Sequence, residues 1–127
     1  MALSKPVLPG SSCYANQNIE KLTSDYYSSI GMDVADIMKN SDLYEKPGKN
    51  QHAYCIDIDN SGDVRVLTNI KPNYSWMGTM MHEFGHAVYD KYIDKSLPFA
   101  LRNPAHSFTT ESIAMIFGRM ASNPQWM

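Results

Sequence analysis

Cysteine is scarce in this chain of 127 residues: Cys13 and Cys55 are the only two, far apart and in no C-x-x-C pair. That spacing excludes a disulfide framework and a cysteine-built metal cluster, and it favours free thiols in a reducing, cytoplasmic setting. A dominant charge sign is also missing. The 11 Lys and Arg residues against 13 Asp and Glu leave a formal net charge of −2. These charges are mixed along the chain, with no basic patch for nucleic acid and no acidic tail. No apolar run approaches the ~20 residues that span a bilayer, so no membrane partner is expected. The opening residues, Met1-Ala2-Leu3-Ser4-Lys5-Pro6, lack the basic, apolar, small-residue order of a secretory leader. No repeat or low-complexity segment is visible. One glycosylation sequon, Asn73-Tyr74-Ser75, is present, but so short a pattern does not outweigh the free thiols.

The chain does carry His82-Glu83-Phe84-Gly85-His86, an H-E-x-x-H sequence inside a run with helical character. Residues four apart share one helical face, so the two imidazoles can reach a single ion. Glu83 stands about 100° further round the helix. It is close enough to a metal-bound water to serve as its base, but it is not aimed at the metal. The surrounding Thr79, Met80, Met81, Phe84, Gly85, Ala87 and Val88 are uncharged, as expected of a buried helix. Two imidazoles and a carboxylate buried there without an ion would be costly. The pattern suits zinc-assisted peptide hydrolysis, with one Zn²⁺ per chain. Gly85 would let another element approach this helix closely.

A catalytic zinc takes three protein ligands and keeps one position open. The best candidate for the third is Glu111, 25 residues after His86 in Phe108-Thr109-Thr110-Glu111-Ser112-Ile113-Ala114. The chain between them can finish one helix, turn through a loop containing Pro98 and Pro104, and start another capped by Ser107 or Thr109. Ile113, Ile116, Phe117 and Met120 would form the packing stripe of that second helix. Glu111 could instead be no more than a favourable acid at a helix N-terminus. His106, in the loop before the helix, is the competing ligand and a candidate pocket residue.

The remaining pattern predicts a mainly α protein with a small antiparallel β-hairpin, an α+β arrangement. Residues 1–12 are a loose lead-in rich in Pro, Gly and Ser. Residues 13–40 hold helices. One runs from about Asn16 to Ile30 on the stripe Ile19, Leu22, Tyr26, Ile30 and is stopped by Gly31. The other runs near Asp33–Met38, with Asp33 as its cap. Residues 51–69 alternate with a period of two and read as a hairpin turning at Asp59-Asn60-Ser61-Gly62. The metal-binding helix spans 75–94 and the glutamate helix 107–121. Asp57–Asp63 imitates half of an EF-hand loop, but its twelfth position is Thr68 rather than glutamate, and the flanks are strand-like. A hydrogen-bonded turn explains the same residues.

Taken together, Ser41-Asp42-Leu43-Tyr44-Glu45-Lys46-Pro47-Gly48-Lys49, His52-Ala53-Tyr54-Cys55, Asp63-Val64-Arg65-Val66, His82–His86 and Glu111 resemble the gluzincin metallopeptidases. The likeness is to the thimet oligopeptidase and oligopeptidase F family, which the spacing to Glu111 fits. It is also to the angiotensin-converting enzyme family, to which Leu101-Arg102-Asn103-Pro104-Ala105 is more similar. The resemblance implies a zincin-like catalytic core in which a hairpin strand pairs with an oligopeptide substrate, a sound physical mode of recognition. By position, His52 looks like the residue that reaches a substrate carbonyl, and Ala53 and Cys55 look like backbone-pairing positions. Two departures stand out. Met115 occupies the place of an aspartate that stands behind the ligands in converting enzymes. The tyrosine and histidine that assist the reaction in these families come from beyond the stretch represented here.

Members of both families are several times longer, so a single catalytic-core fragment over 1–127 is the expectation. Its function would be zinc-dependent hydrolysis of oligopeptides, as an oligopeptidase or peptidyl-dipeptidase. The alternative is a non-catalytic scaffold that keeps the helix pair. A truncated core with nine methionines could also expose apolar surface and associate with itself.

Overall fold

Asn18 opens the first helix of the computed structural model, which describes residues 13–126; the predicted lead-in 1–12 lies outside them. The Asn18 side chain accepts the Lys21 amide, and α1 runs Ile19–Ser29. It starts later than predicted because Asn16 sits at φ 66°, left-handed backbone that no helix continues through. Its buried residues are Ile19, Thr23 and Tyr27 rather than the purely apolar stripe, and Ile30 is exposed. Hydrogen bonding makes the difference. The Tyr27 hydroxyl donates to the Met81 carbonyl at 2.6 Å and the Thr23 hydroxyl to the Ile19 carbonyl at 2.9 Å, so both polar groups can be buried without loss. Gly31, at φ 80°, ends the helix as expected.

Helix α2 covers Ala35–Asn40, and Asp33 accepts the Ala35 amide just ahead of it. The hairpin follows, shorter than predicted: β1 Tyr54–Asp57 pairs antiparallel with β2 Val64–Leu67, with Cys55 opposite Val66. Its turn is the predicted hydrogen-bonded one, with Asp59 Oδ1 accepting the Ser61 and Asp63 amides. The far edge of β2 is covered by segment 42–43, which pairs in parallel through Asp42. Among the described residues no strand covers the outer edge of β1.

Lys49 locks this covering segment in place. Its ammonium, with a side chain 2% exposed, donates to the Asp42 carboxylate and to the carbonyls of Asp42, Tyr44 and Thr68. Four oxygens therefore replace its water.

Helix α3 spans Tyr74–Lys91, capped by Asn73. Met77, Met80, Met81, Phe84, Ala87 and Val88 bury its inner face against α1 and the hairpin. It stops short of the predicted residue 94, where the Asp94 side chain instead accepts the Ser96 amide and turns the chain. Helix α4, Ser107–Met120, is capped by His106, whose Nδ1 accepts the Phe108 amide at 3.0 Å. That corrects the predicted Ser107 or Thr109 cap.

The two long helices run antiparallel, with Gly85 facing Ala114 and Gly78 facing Gly118. The α4 face against α3 includes Ala114, Phe117 and Gly118; Ile116 of the predicted stripe is exposed, as are Phe108 and Met115. Small residues win this face because they let the backbones touch. The mainly helical architecture with one antiparallel hairpin is as predicted. Among the described residues no helix is long and apolar enough to cross a membrane.

Candidate metal centre

Helix α3 carries His82 and His86 one turn apart on the side facing the second turn of α4. Their Nε2 atoms are 3.2 Å from each other, with the rings nearly perpendicular. Glu111 reaches across from α4. One of its oxygens is 3.4 Å from His82 Nε2 and the other is 3.4 Å from His86 Nε2. Three donors that bind one ion tetrahedrally at ~2.0–2.1 Å must lie about 3.3–3.4 Å apart. Each nitrogen faces a different carboxylate oxygen at about that spacing, and one ligand atom from each residue lies within 4.8 Å of the others, close enough to converge on one ion; the donor set is the nitrogen–oxygen type that zinc accepts. Burial holds His86 below the ordinary imidazole value, while the Glu111 charge pulls it the other way. A neutral imidazole is the form that ligates.

Glu83 lies under the same opening, 9% exposed. Burial, and secondarily the negative charge of Glu111, push its carboxyl up to about 7. A carboxyl in that range can take and return a proton near neutrality.

The centre opens into a cleft of about 450 Å³. Its floor is His82, Glu83, His86 and Asp90 of α3, one wall is β1 with Ala53–Asp57, and the other is Thr110 and Glu111 with loop residues Arg102–Pro104. Ala53 and Cys55 thus line the cleft. Burial pushes the Cys55 thiol well above its usual value, and the carboxylates of Asp90, Glu83 and Asp57 add to this, so it is no thiolate nucleophile. His52 precedes β1, is exposed, and is not among the lining residues. His106 is likewise outside the cleft and serves as the α4 cap, which explains the histidine without a pocket role.

Sequence reasoning missed Asp57, Asp90 and Arg102 in the lining. Asp90 was findable, since it lies four residues beyond His86 and so shares its helical face. Asp57 alternates with Cys55 along the strand. Nothing in the local sequence points to Arg102. A second groove, of about 370 Å³, meets the first at His82 and Glu83 and continues past Gly78, Thr79, Met115 and Arg119.

An H-E-x-x-H helix facing a glutamate on the next helix, beside a hairpin, is the arrangement of the gluzincin metallopeptidases. Residues 10–127 match the family described as Angiotensin-converting enzyme, and the chain belongs to that family. Over 80 residues it is also 31% identical to Oligopeptidase PepF of Bacillus subtilis (strain 168), an alignment covering 58% of this chain and 12% of that protein. The chain therefore spans about an eighth of the length of that relative.

Proposed function

We propose that this chain holds the zinc centre of an oligopeptide-cleaving metallopeptidase, with His82, His86 and Glu111 as ligands and Glu83 as the proton-transfer residue. The observation that supports it best is that one ligand atom from each of His82, His86 and Glu111 lies within 4.8 Å of the others, with the two nitrogens 3.2 Å apart and each 3.4 Å from one of the carboxylate oxygens. Bound zinc would polarise the scissile carbonyl and acidify the attacking water.

The chain's own residues supply the rest. Glu83, buried and poised near neutrality, accepts the proton released as water adds to the carbonyl and passes it to the departing amine. The outer edge of β1, uncovered among the described residues and lining the cleft, offers backbone groups to an extended peptide. Extended pairing of that kind reads backbone more than side chains, which suits an enzyme acting on varied oligopeptides.

The non-catalytic reading has one observation in its favour. Met115, where converting enzymes carry an aspartate, is 53% exposed. Among the described residues neither histidine donates its Nδ1–H to a protein acceptor, the contact that ordinarily orients a ligand ring.

Two measurements separate the readings: zinc content of the purified chain, and cleavage of a quenched-fluorescence peptide with and without chelator. One zinc per chain and chelator-sensitive cleavage support the peptidase. One zinc with no cleavage supports the scaffold. No zinc at stoichiometric loading, with no effect of Glu111→Ala on what is bound, overturns the ligand set.

A further inference from the structure

Tyr14, Tyr26 and Trp126, from three separate segments, line a pocket of about 430 Å³ that shares no lining residue with the metal cleft. Each ring is held in place. Tyr14 is buried, and its hydroxyl donates to the Ala121 carbonyl. Tyr26, on α1, meets the rings of Tyr27, Phe117 and Trp126. Those of Tyr27 and Trp126 stand nearly perpendicular to it, with centroids 5.3 and 5.1 Å away. Trp126 belongs to a short turn after α4, in which its amide donates to the Asn123 carbonyl and the Gln125 amide to the Asn123 side chain. Walls fixed before anything enters spare a ligand the cost of ordering them.

Charge and hydrogen bonding decide what suits this pocket. Asp25 is the one charged side chain in its lining among the described residues. Its carboxylate takes the Lys21 ammonium on one oxygen, in an exposed pair one helical turn long. Such pairs contribute little and are readily shared. Lys21 itself is not in the lining. An anion would therefore meet a carboxylate and no cation. The polar residues of the lining, Gln17, Asp25 and Ser29, are all exposed, whereas the three rings and Leu22 are buried or half-buried. A primary ammonium has three N–H donors to satisfy, and against the rings they would lose water without gaining acceptors. A quaternary ammonium has no N–H to satisfy, and aromatic faces attract its charge directly.

We propose that this pocket binds a quaternary ammonium group, with Tyr26 and Trp126 as its aromatic walls and Asp25 as the balancing charge at the rim. The site is separate from the metal centre, and the inference stands or falls independently of the peptidase reading.

The test is calorimetric titration of the full chain with three small alcohols. Choline carries the quaternary ammonium, ethanolamine a primary one, and a neutral analogue has carbon in place of the choline nitrogen. Choline is expected to bind about tenfold more tightly than either of the others, the scale of one or two cation–π contacts. Trp126→Leu keeps an apolar wall without a π face and should bring choline down to the neutral analogue, while Trp126→Phe should keep most of the preference. Asp25→Asn, at an exposed position that leaves the core untouched, should weaken choline several-fold and leave the neutral analogue unchanged. A peptide bearing trimethyllysine identifies the source of the group: tighter binding than choline assigns the pocket to a modified protein side chain, and weaker binding to a free small molecule. Equal binding of the three alcohols, no binding of choline, or a choline preference that survives both Trp126→Leu and Asp25→Asn would overturn the proposal.

Discussion

Gly85 and Ala114 meet where α3 and α4 touch: a Cβ on Gly85 would stand 2.9 Å from the Ala114 Cα and 3.0 Å from the Phe117 ring. The nearer obstacle is backbone, which cannot swing aside as a side chain can. Gly85→Ala should therefore destabilise the fold by about 1–3 kcal/mol through overpacking, although alanine is the better helix former by about 1 kcal/mol. The helices would separate, carrying Glu111 away from the two rings. Thermal unfolding and zinc titration of the same variant check this, and a more stable protein with unchanged zinc affinity would refute the close-contact argument.

Glu83→Gln keeps the size of the side chain but cannot take up a proton. Hydrolysis should fall by roughly 10²–10⁴, the usual span of general acid–base assistance, while zinc content stays at the wild-type value. Peptide cleavage at the wild-type rate would remove Glu83 from the proposed mechanism.

Tyr14 reports on pH. Its ring is 3% exposed and its hydroxyl donates to the Ala121 carbonyl at 2.7 Å, joining the N-terminal turn to the end of α4. Burial pushes this phenol up to about 12 from 10.0, with smaller contributions from Cys13 and Tyr74. The folded pKa lies above the unfolded one. The stabilisation is thus complete below pH ~10 and declines as pH rises towards ~12, where the unfolded chain has already lost its proton. Tyr14→Phe should lower stability by about 1 kcal/mol at neutral pH and flatten the decline between those pH values. Denaturant unfolding at a series of pH values measures both effects.

Lys49→Met would remove the ammonium that three separate carbonyls and the Asp42 carboxylate share. Those carbonyls would be left short of a donor beneath the hairpin, at about 2–4 kcal/mol. Chemical denaturation should show that loss. A variant as stable as the parent would mean that water replaces the clasp without penalty.

The helix pair and the hairpin were legible because each leaves a period in the sequence. His82 and His86 at a spacing of four, and the alternation around Cys55 and Val66, are local patterns. The failures share a cause as well. Helix α4 is apolar on more than one side, with Phe108, Met115 and Ile116 outward, so its pattern does not choose the face that packs; Ala114 and Gly118 choose it by letting the backbones close up. The His106 cap depends on extended backbone at that residue, φ −160° and ψ 142°. The Lys49 clasp joins 42–44 to 68, and no local window contains both.

The three proposed ligands are mounted unequally. Both rings project from the middle of a helix whose inner face is wholly packed, and their side chains are 23% and 16% exposed. The carboxylate stands in the second turn of a helix reached through an exposed segment, and its side chain is 57% exposed. Such a centre has one fixed jaw and one tethered jaw. Exchange with an external chelator should then be paced by excursions of the tethered jaw, and a cross-link holding the start of α4 to α3 should lengthen the residence time far more than it alters the equilibrium geometry.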